Sequence, residues 1–105
     1  MSAFRVVLIT APPAKAEELA QKVIEKRMAA CVNIIDKVKS IYHWKGGAKK
    51  DTESLLIVKT ATKKVESLIN FVRENHLYEI PEVVSMTIAE GNPDYLNWLD
   101  EETSK

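Results

Sequence analysis

Residues 29–60 read AACVNIIDKVKSIYHWKGGAKKDTESLLIVKT and decide the fold of this 105-residue chain. Two β-rich arms flank Gly46-Gly47, which is the pattern of a long β-hairpin. The first arm, residues 30–44, reaches about 50 Å when extended at ~3.3 Å per residue. Flanking helices of about 16 residues are only ~24 Å long and therefore cover part of it. The uncovered apolar remainder predicts that the chain assembles with copies of itself.

Two irregular places are predicted within this hairpin. The polar run DKVK at residues 36–39 interrupts the first arm and marks a bulge or a bend. A flexible polar loop is expected between the arms, which limits the second arm to residues 53–60. The loop is assigned to Gly46, Gly47, Lys49, Lys50 and Asp51.

Strand and helix patterns alternate outside the hairpin. Residues 4–10 and 83–88 are short apolar runs that predict two further strands. Two segments carry apolar residues at helical spacing, the first starting after Pro12 and the second with Thr62 as its N-cap. A short terminal helix is expected to open at Asn92.

The resulting order is β-α-β-β-α-β with one added helix. It predicts a single domain, residues 1–105, of the α+β class. The expected architecture is a ferredoxin-like sandwich with an antiparallel sheet, a long β-hairpin and an extra C-terminal helix. This fold hosts many activities, so function has to be argued from particular residues.

Composition argues against several classes of protein. Lys plus Arg and Asp plus Glu both total 15, so the net charge is zero and neither a nucleic acid nor a membrane partner is expected. The single cysteine, Cys31, cannot form an internal disulfide, and no secretory signal pattern is present, so we expect a cytoplasmic protein. Common catalytic motifs are missing, which predicts no enzyme activity and no organic cofactor.

Five blocks of sequence carry a resemblance to a known family. They are AACVNI at 29–34, SIYHWKG at 40–46, Glu53 with LLIVKT at 55–60, HLYEIPE at 76–82 and GNPDYLNWL at 91–99. In this order and spacing the chain resembles the CutA divalent-cation tolerance family. The resemblance implies a compact homotrimer, and copper tolerance with Cu(II) binding as in bacterial relatives. It also implies structural similarity to the trimeric PII signalling proteins, which bind small molecules between subunits.

The resemblance makes Cys31 and His76 the candidate metal ligands. Copper sites use thiolate and imidazole donors, although Cys31 is more simply explained as a small buried residue and His76 as a helix-ending one. Ile9 and Asn75 occupy positions where some bacterial members carry further donors. Leu77 replaces the usual proline after the histidine, which removes a constraint on its backbone. We therefore expect copper to bind weakly.

A second set of family-typical residues is polar and aromatic: Trp44, Lys59, Tyr78, Glu79 and Glu82. In a trimer these residues could meet where the hairpin of one subunit approaches the 76–82 loop of another. Lys59 would suit a small anion while the rings cover its apolar part. Alternatively, the same residues only stabilise the subunit interface, with Lys59 paired to Glu79 or Glu82.

Three functions therefore stay open at the level of sequence. The first is tolerance of divalent cations through weak Cu(II) binding. The second is a signalling trimer that responds to a small molecule, and the third is a trimeric interaction scaffold.

Overall fold

The structure, a computed structural model, describes residues 3–75 and 78–105. In chain order the elements are β1 Phe4–Ala11, α1 Pro13–Glu25, β2 Cys31–Trp44, β3 Gly47–Ala61, α2 Val65–Asn75, β4 Val83–Thr87 and α3 Pro93–Thr103. The strands form one antiparallel sheet in the order β2-β3-β1-β4. The predicted α+β, ferredoxin-like class is thereby confirmed. No helix in the described ranges is long and apolar enough to cross a membrane.

One face of the sheet packs against α1 and α2 and forms the core. Because side chains alternate along a strand, every second residue of β1 and β3 points to this face. The fully or nearly buried apolar residues of the strands are Val7, Ile9, Ala11, Leu56 and Val58. Those of the helices are Ala16, Leu19, Ala20, Val23, Leu68, Phe71 and Val72. Both helices thus bury most of the apolar stripe that their spacing predicts, but Ile24 of α1 is exposed.

The other face of the sheet, which we call the open face, is also apolar. Its apolar residues alternate along the strands with the core positions and pair with one another across the strands; they are Val6, Leu8, Ile35, Leu55, Ile57, Val84 and Met86. Ile35, Val84 and Met86 are each close to half exposed, at 47%, 48% and 47%. A contiguous apolar face of this kind marks an interaction surface.

The hairpin is longer and more regular than predicted. β3 begins at Gly47 rather than at residue 53, because Lys49 and Asp51 pair with Tyr42 and Ser40. The predicted loop of Gly46, Gly47, Lys49, Lys50 and Asp51 is therefore wrong beyond Gly46. The polar residues of this exposed two-stranded segment are held in place by backbone hydrogen bonds. Their sequence therefore shows no alternation of apolar and polar side chains from which a strand could be predicted.

The connection itself is a turn of two residues. Lys45 and Gly46 have φ values of 50° and 85°. Positive φ at both central positions is the signature of a type I′ turn, whose twist matches that of the paired strands. This turn brings Trp44 directly opposite Gly47 and fixes the register of residues 38–53, which we call the outer hairpin.

The predicted bulge in the first arm is confirmed. The register of β2 against β3 shifts between Ile35 and Val38, and Lys37 has a φ of 61°. The Ser54 hydroxyl donates a hydrogen bond of 2.7 Å to the Asp36 carboxylate, which anchors the bulge. The bulge marks the change from the helix-covered part of the hairpin to its outer half.

The two later helices begin differently. The prediction of Thr62 as an N-cap is wrong, since a short 3₁₀ helix, Thr62–Lys64, already starts there and leads into α2. The Thr62 amide donates to the Ala3 carbonyl at 2.8 Å, which holds this residue against the sheet. Asn92 caps α3 as predicted, because its side chain accepts a hydrogen bond of 3.1 Å from the Asp94 amide.

Replacing Gly46 by alanine is expected to lower the free energy of unfolding by about 1 kcal/mol, because a β-carbon is strained at positive φ. Gly47→Ala is the matched control: Gly47 does not have a positive φ, and open space surrounds its position. Urea unfolding of both variants at one protein concentration measures the difference. An equal loss in the two variants would contradict the assigned turn.

Candidate functional site

A cavity of about 700 Å³ opens between the outer hairpin and the 78–82 loop. We call it the hairpin cleft. Trp44, Tyr78, Glu79 and Glu82 line it, so four of the five residues proposed to share a cleft lie together. Both walls belong to one chain, whereas the sequence suggested walls from two subunits.

A hydrogen bond between Tyr78 and Glu53 joins the two walls. The Tyr78 hydroxyl donates to Glu53 Oε2 at 3.1 Å, and Glu53 is only 6% exposed. A buried carboxylate requires such donors, because its desolvation is costly. Burial, followed by the negative charge of Glu53 and this hydrogen bond, raises the pKa of Tyr78 above its usual range. The phenol therefore stays a neutral donor at physiological pH.

Glu53 is a site residue that sequence reasoning missed. It lies at the start of the predicted third strand and belongs to one of the five blocks of the family resemblance, but the sequence does not assign it to the cleft. Its alternation with Leu55 and Ile57 places it on the open face, where the Tyr78 hydroxyl of the 78–82 loop contacts it. A contact between residues so far apart in sequence leaves no local signal.

Tyr42 and Asp51 form a second phenol–carboxylate pair, on the hairpin wall. The Tyr42 hydroxyl donates to Asp51 Oδ2, and this hydrogen bond is the main reason that the pKa of Tyr42 rises to about 12. Lys49 Nζ lies 3.7 Å from the same carboxylate oxygen. These contacts are solvent-exposed, so we expect them to orient the side chains more than they stabilise the fold.

The cleft carries a net negative charge. Its charged lining consists of four carboxylates, from Asp51, Glu53, Glu79 and Glu82, and two ammonium groups, from Lys39 and Lys49. Three aromatic rings, from Tyr42, Trp44 and Tyr78, also line the cleft. This lining favours a cation over the small anion that the sequence suggested.

Lys59, the fifth residue of the predicted set, lies elsewhere. It pairs with Cys31 at the other end of the hairpin, six residues along β3 from Glu53, or ~20 Å at ~3.3 Å per residue. Its Nζ contacts the Asn33 side chain and lies 3.9 Å from Cys31 Sγ. Within one chain it pairs with neither Glu79 nor Glu82.

Of the two predicted metal ligands, only Cys31 lies among the residues that the structure describes. Cys31 is half-buried beside the Lys59 ammonium, an unfavourable neighbour for a second cation. His76 lies outside the residues that the structure describes. Among residues 3–75 and 78–105, no group of three or more His, Cys, Asp and Glu side chains is placed to hold a metal ion.

Helix α3 closes the Cys31 end of the sheet. Tyr95 contacts Cys31, and burial followed by this contact raises the pKa of Tyr95. The Tyr95 and Trp98 rings lie 5.6 Å apart and are 39% and 40% exposed. Arg27 donates to the Glu102 carboxylate at 2.9 Å and ties the end of α3 to the end of α1. This region is structurally separate from the hairpin cleft.

Tyr78→Phe is expected to lower the free energy of unfolding by about 1–3 kcal/mol at neutral pH, because it leaves a buried carboxylate one donor short. Tyr42→Phe, which removes an exposed phenol from a similar pair, is the control and has a smaller effect. Urea unfolding of the three proteins measures both values. A larger loss in Tyr42→Phe would contradict the assigned role of Glu53.

The same pair predicts a pH dependence. The pKa of Tyr78 is raised in the folded state, so its contribution to stability is present below the unfolded value of about 10 and is lost as the pH rises above it. The wild type should therefore lose stability between about pH 10 and 12 more steeply than Tyr78→Phe. Thermal unfolding midpoints across this range test it, and parallel curves would refute it.

Comparison with known proteins adds the family. The sequence profile described as CutA1 divalent ion tolerance protein matches residues 5–102. The chain is 48% identical over 99 residues to the divalent-cation tolerance protein CutA of Thermus thermophilus, which covers 93% of this chain and 96% of that protein. It is 46% identical over 96 residues to mouse protein CutA, with 90% of this chain covered. The chain spans about half the length of that mouse protein, 54% of it.

The fold gives the same result. A solved structure titled PII-like protein CutA from Nostoc sp. PCC 7120 superposes with a TM-score of 0.90 at 33% identity, covering 94% of this chain and 96% of that one. The family description names divalent-ion tolerance and no catalytic activity. The chain therefore belongs to the CutA1 family of divalent ion tolerance proteins.

Proposed function

We propose that this chain acts in divalent-cation tolerance as a homotrimer that binds Cu(II) weakly. The observation that carries the proposal is the hairpin cleft, in which four carboxylates outnumber two ammonium groups. Cu(II) accepts oxygen as well as nitrogen donors. Binding is weak because no three of these carboxylates are placed to hold one ion, and because the thiol of Cys31 lies far from the cleft, beside Lys59. His76, two residues before Tyr78 in the sequence, stays a candidate donor.

The open face supports the trimer in this proposal. Ile35, Val84 and Met86 on this face are each about half exposed, whereas Val7, Ile9, Leu56 and Val58 on the core-facing side of the sheet are fully buried. The chain measures 44 Å along its longest axis and 25 and 22 Å across, so the hairpin is long relative to the body. Further copies of the chain would cover both the open face and the outer hairpin.

A second candidate is a small-molecule-responsive trimer similar to PII proteins. The observation that favours it is the size and aromatic lining of the cleft, which exceed what one metal ion requires. The Nostoc relative is titled PII-like. A cytoplasmic location, the absence of enzyme activity and the scaffold role all stay predictions.

Native mass spectrometry of metal-free protein titrated with copper tests the proposal. We expect a trimer that takes up about three copper ions in steps, one for each cleft. The paired substitution Glu79→Gln with Glu82→Gln should weaken uptake by about tenfold or more, because it removes two donors. Cys31→Ser is the matched control and should leave uptake unchanged. A monomer, or a trimer without stepwise uptake, would refute the proposal.

A further inference from the structure

A second cavity, of about 200 Å³, lies on the helix side of the sheet. We call it the helix cavity. It opens between the start of α1 and the last residue of α2, and its other lining residues fall within 11–22. None of its lining residues belongs to the open face or to the outer hairpin. The trimer proposed above covers those two surfaces and therefore does not require the helix cavity to be covered.

The inner wall of the helix cavity is apolar. Ala11 and Leu19 are only 1% and 7% exposed, and Pro12 lies between them along the wall. Drug-sized ligands occupy cavities of ~300–1,000 Å³, so this smaller space suits a ligand of few heavy atoms. Such a ligand would bury a short apolar group against this wall.

Charged side chains of α1 stand at the rim of the cavity, and their charges do not balance. Lys15 Nζ and Lys22 Nζ each lie 3.8 Å from a carboxylate oxygen of Glu18. Both separations exceed hydrogen-bond length, and the three side chains are about half exposed, so these ion pairs are weak. Glu18 can neutralise only one of the two ammonium groups. One positive charge therefore remains to attract a carboxylate.

The opposite side of the cavity presents hydrogen-bond acceptors. Asn75, the last residue of α2, uses its side-chain nitrogen to donate to the Phe71 carbonyl at 2.8 Å. This bond holds the amide in place, and the group that it offers to a ligand is its oxygen, an acceptor. The final carbonyls of a helix are also acceptors and form the negative end of its dipole. This side of the cavity therefore favours an ammonium group.

We propose that the helix cavity binds a small α-amino acid. Its carboxylate lies at Lys15 and Lys22, its ammonium at Asn75 and the end of α2, and its aliphatic side chain against Ala11 and Leu19. The helix dipoles support this orientation, because the positive end of α1 and the negative end of α2 border the same space. The site is separate from the hairpin cleft and does not depend on copper.

A titration of the full-length protein, labelled with ¹⁵N and followed by NMR, tests this with three matched probes. Norvaline carries both charged groups, pentanoate lacks the ammonium and butylamine lacks the carboxylate, while all three keep a similar aliphatic stem. We expect saturable shifts of the amide signals of residues 14–22 and 75 with norvaline, and binding of the other two weaker by about tenfold or more. Equal binding of pentanoate or butylamine, shifts confined to other residues, or no saturable binding of norvaline would overturn the proposal.

Variants test the two sides of the site separately. Lys15→Gln with Lys22→Gln should weaken norvaline binding by about tenfold or more, because it removes both ammonium groups. Lys26→Gln with Lys105→Gln is the matched control: it makes the same change in charge at exposed positions outside the cavity and should leave binding unchanged.

Asn75→Leu should weaken norvaline to the level of pentanoate and leave pentanoate itself unchanged, since only the ammonium uses the Asn75 oxygen. Equal losses for the two probes would assign Asn75 a merely structural role and overturn the two-sided site. Unchanged norvaline binding in the Lys15 and Lys22 variant would overturn the proposal even if Asn75→Leu fails to fold.

Discussion

The backbone pairing of β2 with β3 is the constraint on which the rest of the structure depends. It runs from Cys31 opposite Lys59 to Trp44 opposite Gly47, further than the two helices extend. One end is therefore covered and becomes part of the core, while the other end stands free and becomes the wall of a cleft. The same pairing keeps Lys59 and Trp44 at opposite ends of a rigid ribbon, so a ligand of one cleft cannot contact both within a single chain.

The buried carboxylate of Glu53 connects the hairpin to the 78–82 loop, which is the other wall of the cleft. Glu53 sits just past the bulge, where the covered half of the hairpin ends, and the 78–82 loop closes over it. Because an unsatisfied buried carboxylate is costly, the Tyr78 hydroxyl must stay within reach of Glu53 whenever the loop is closed. The position of Glu79 and Glu82 relative to the hairpin follows from that contact.

The sequence was sufficient to predict the parts of this fold that rest on local patterns. Strand and helix periodicities predicted the ferredoxin-like order, the polar run at residues 36–39 predicted the bulge, and Asn92 predicted the start of α3. It was not sufficient for the outer hairpin, because Lys49 and Asp51 pair through their backbones and show no apolar alternation. It also did not identify Glu53 as a cleft residue, because the contact between Glu53 and Tyr78 depends on strand register and on the path of the 78–82 loop, which no local pattern encodes.

The two kinds of side chain in the hairpin cleft have different consequences for selectivity. Carboxylates attract any cation, so Glu79 and Glu82 alone do not distinguish a divalent metal from an organic ammonium. The rings do distinguish them, because a hydrated metal ion gains little from an indole or phenol face, whereas an alkylammonium gains both hydrophobic contact and cation–π attraction. The carboxylates therefore favour a positively charged ligand, and Trp44 with the two tyrosines favours one that also has an apolar part. A cleft that bound only a metal ion would need the carboxylates and not the aromatic rings.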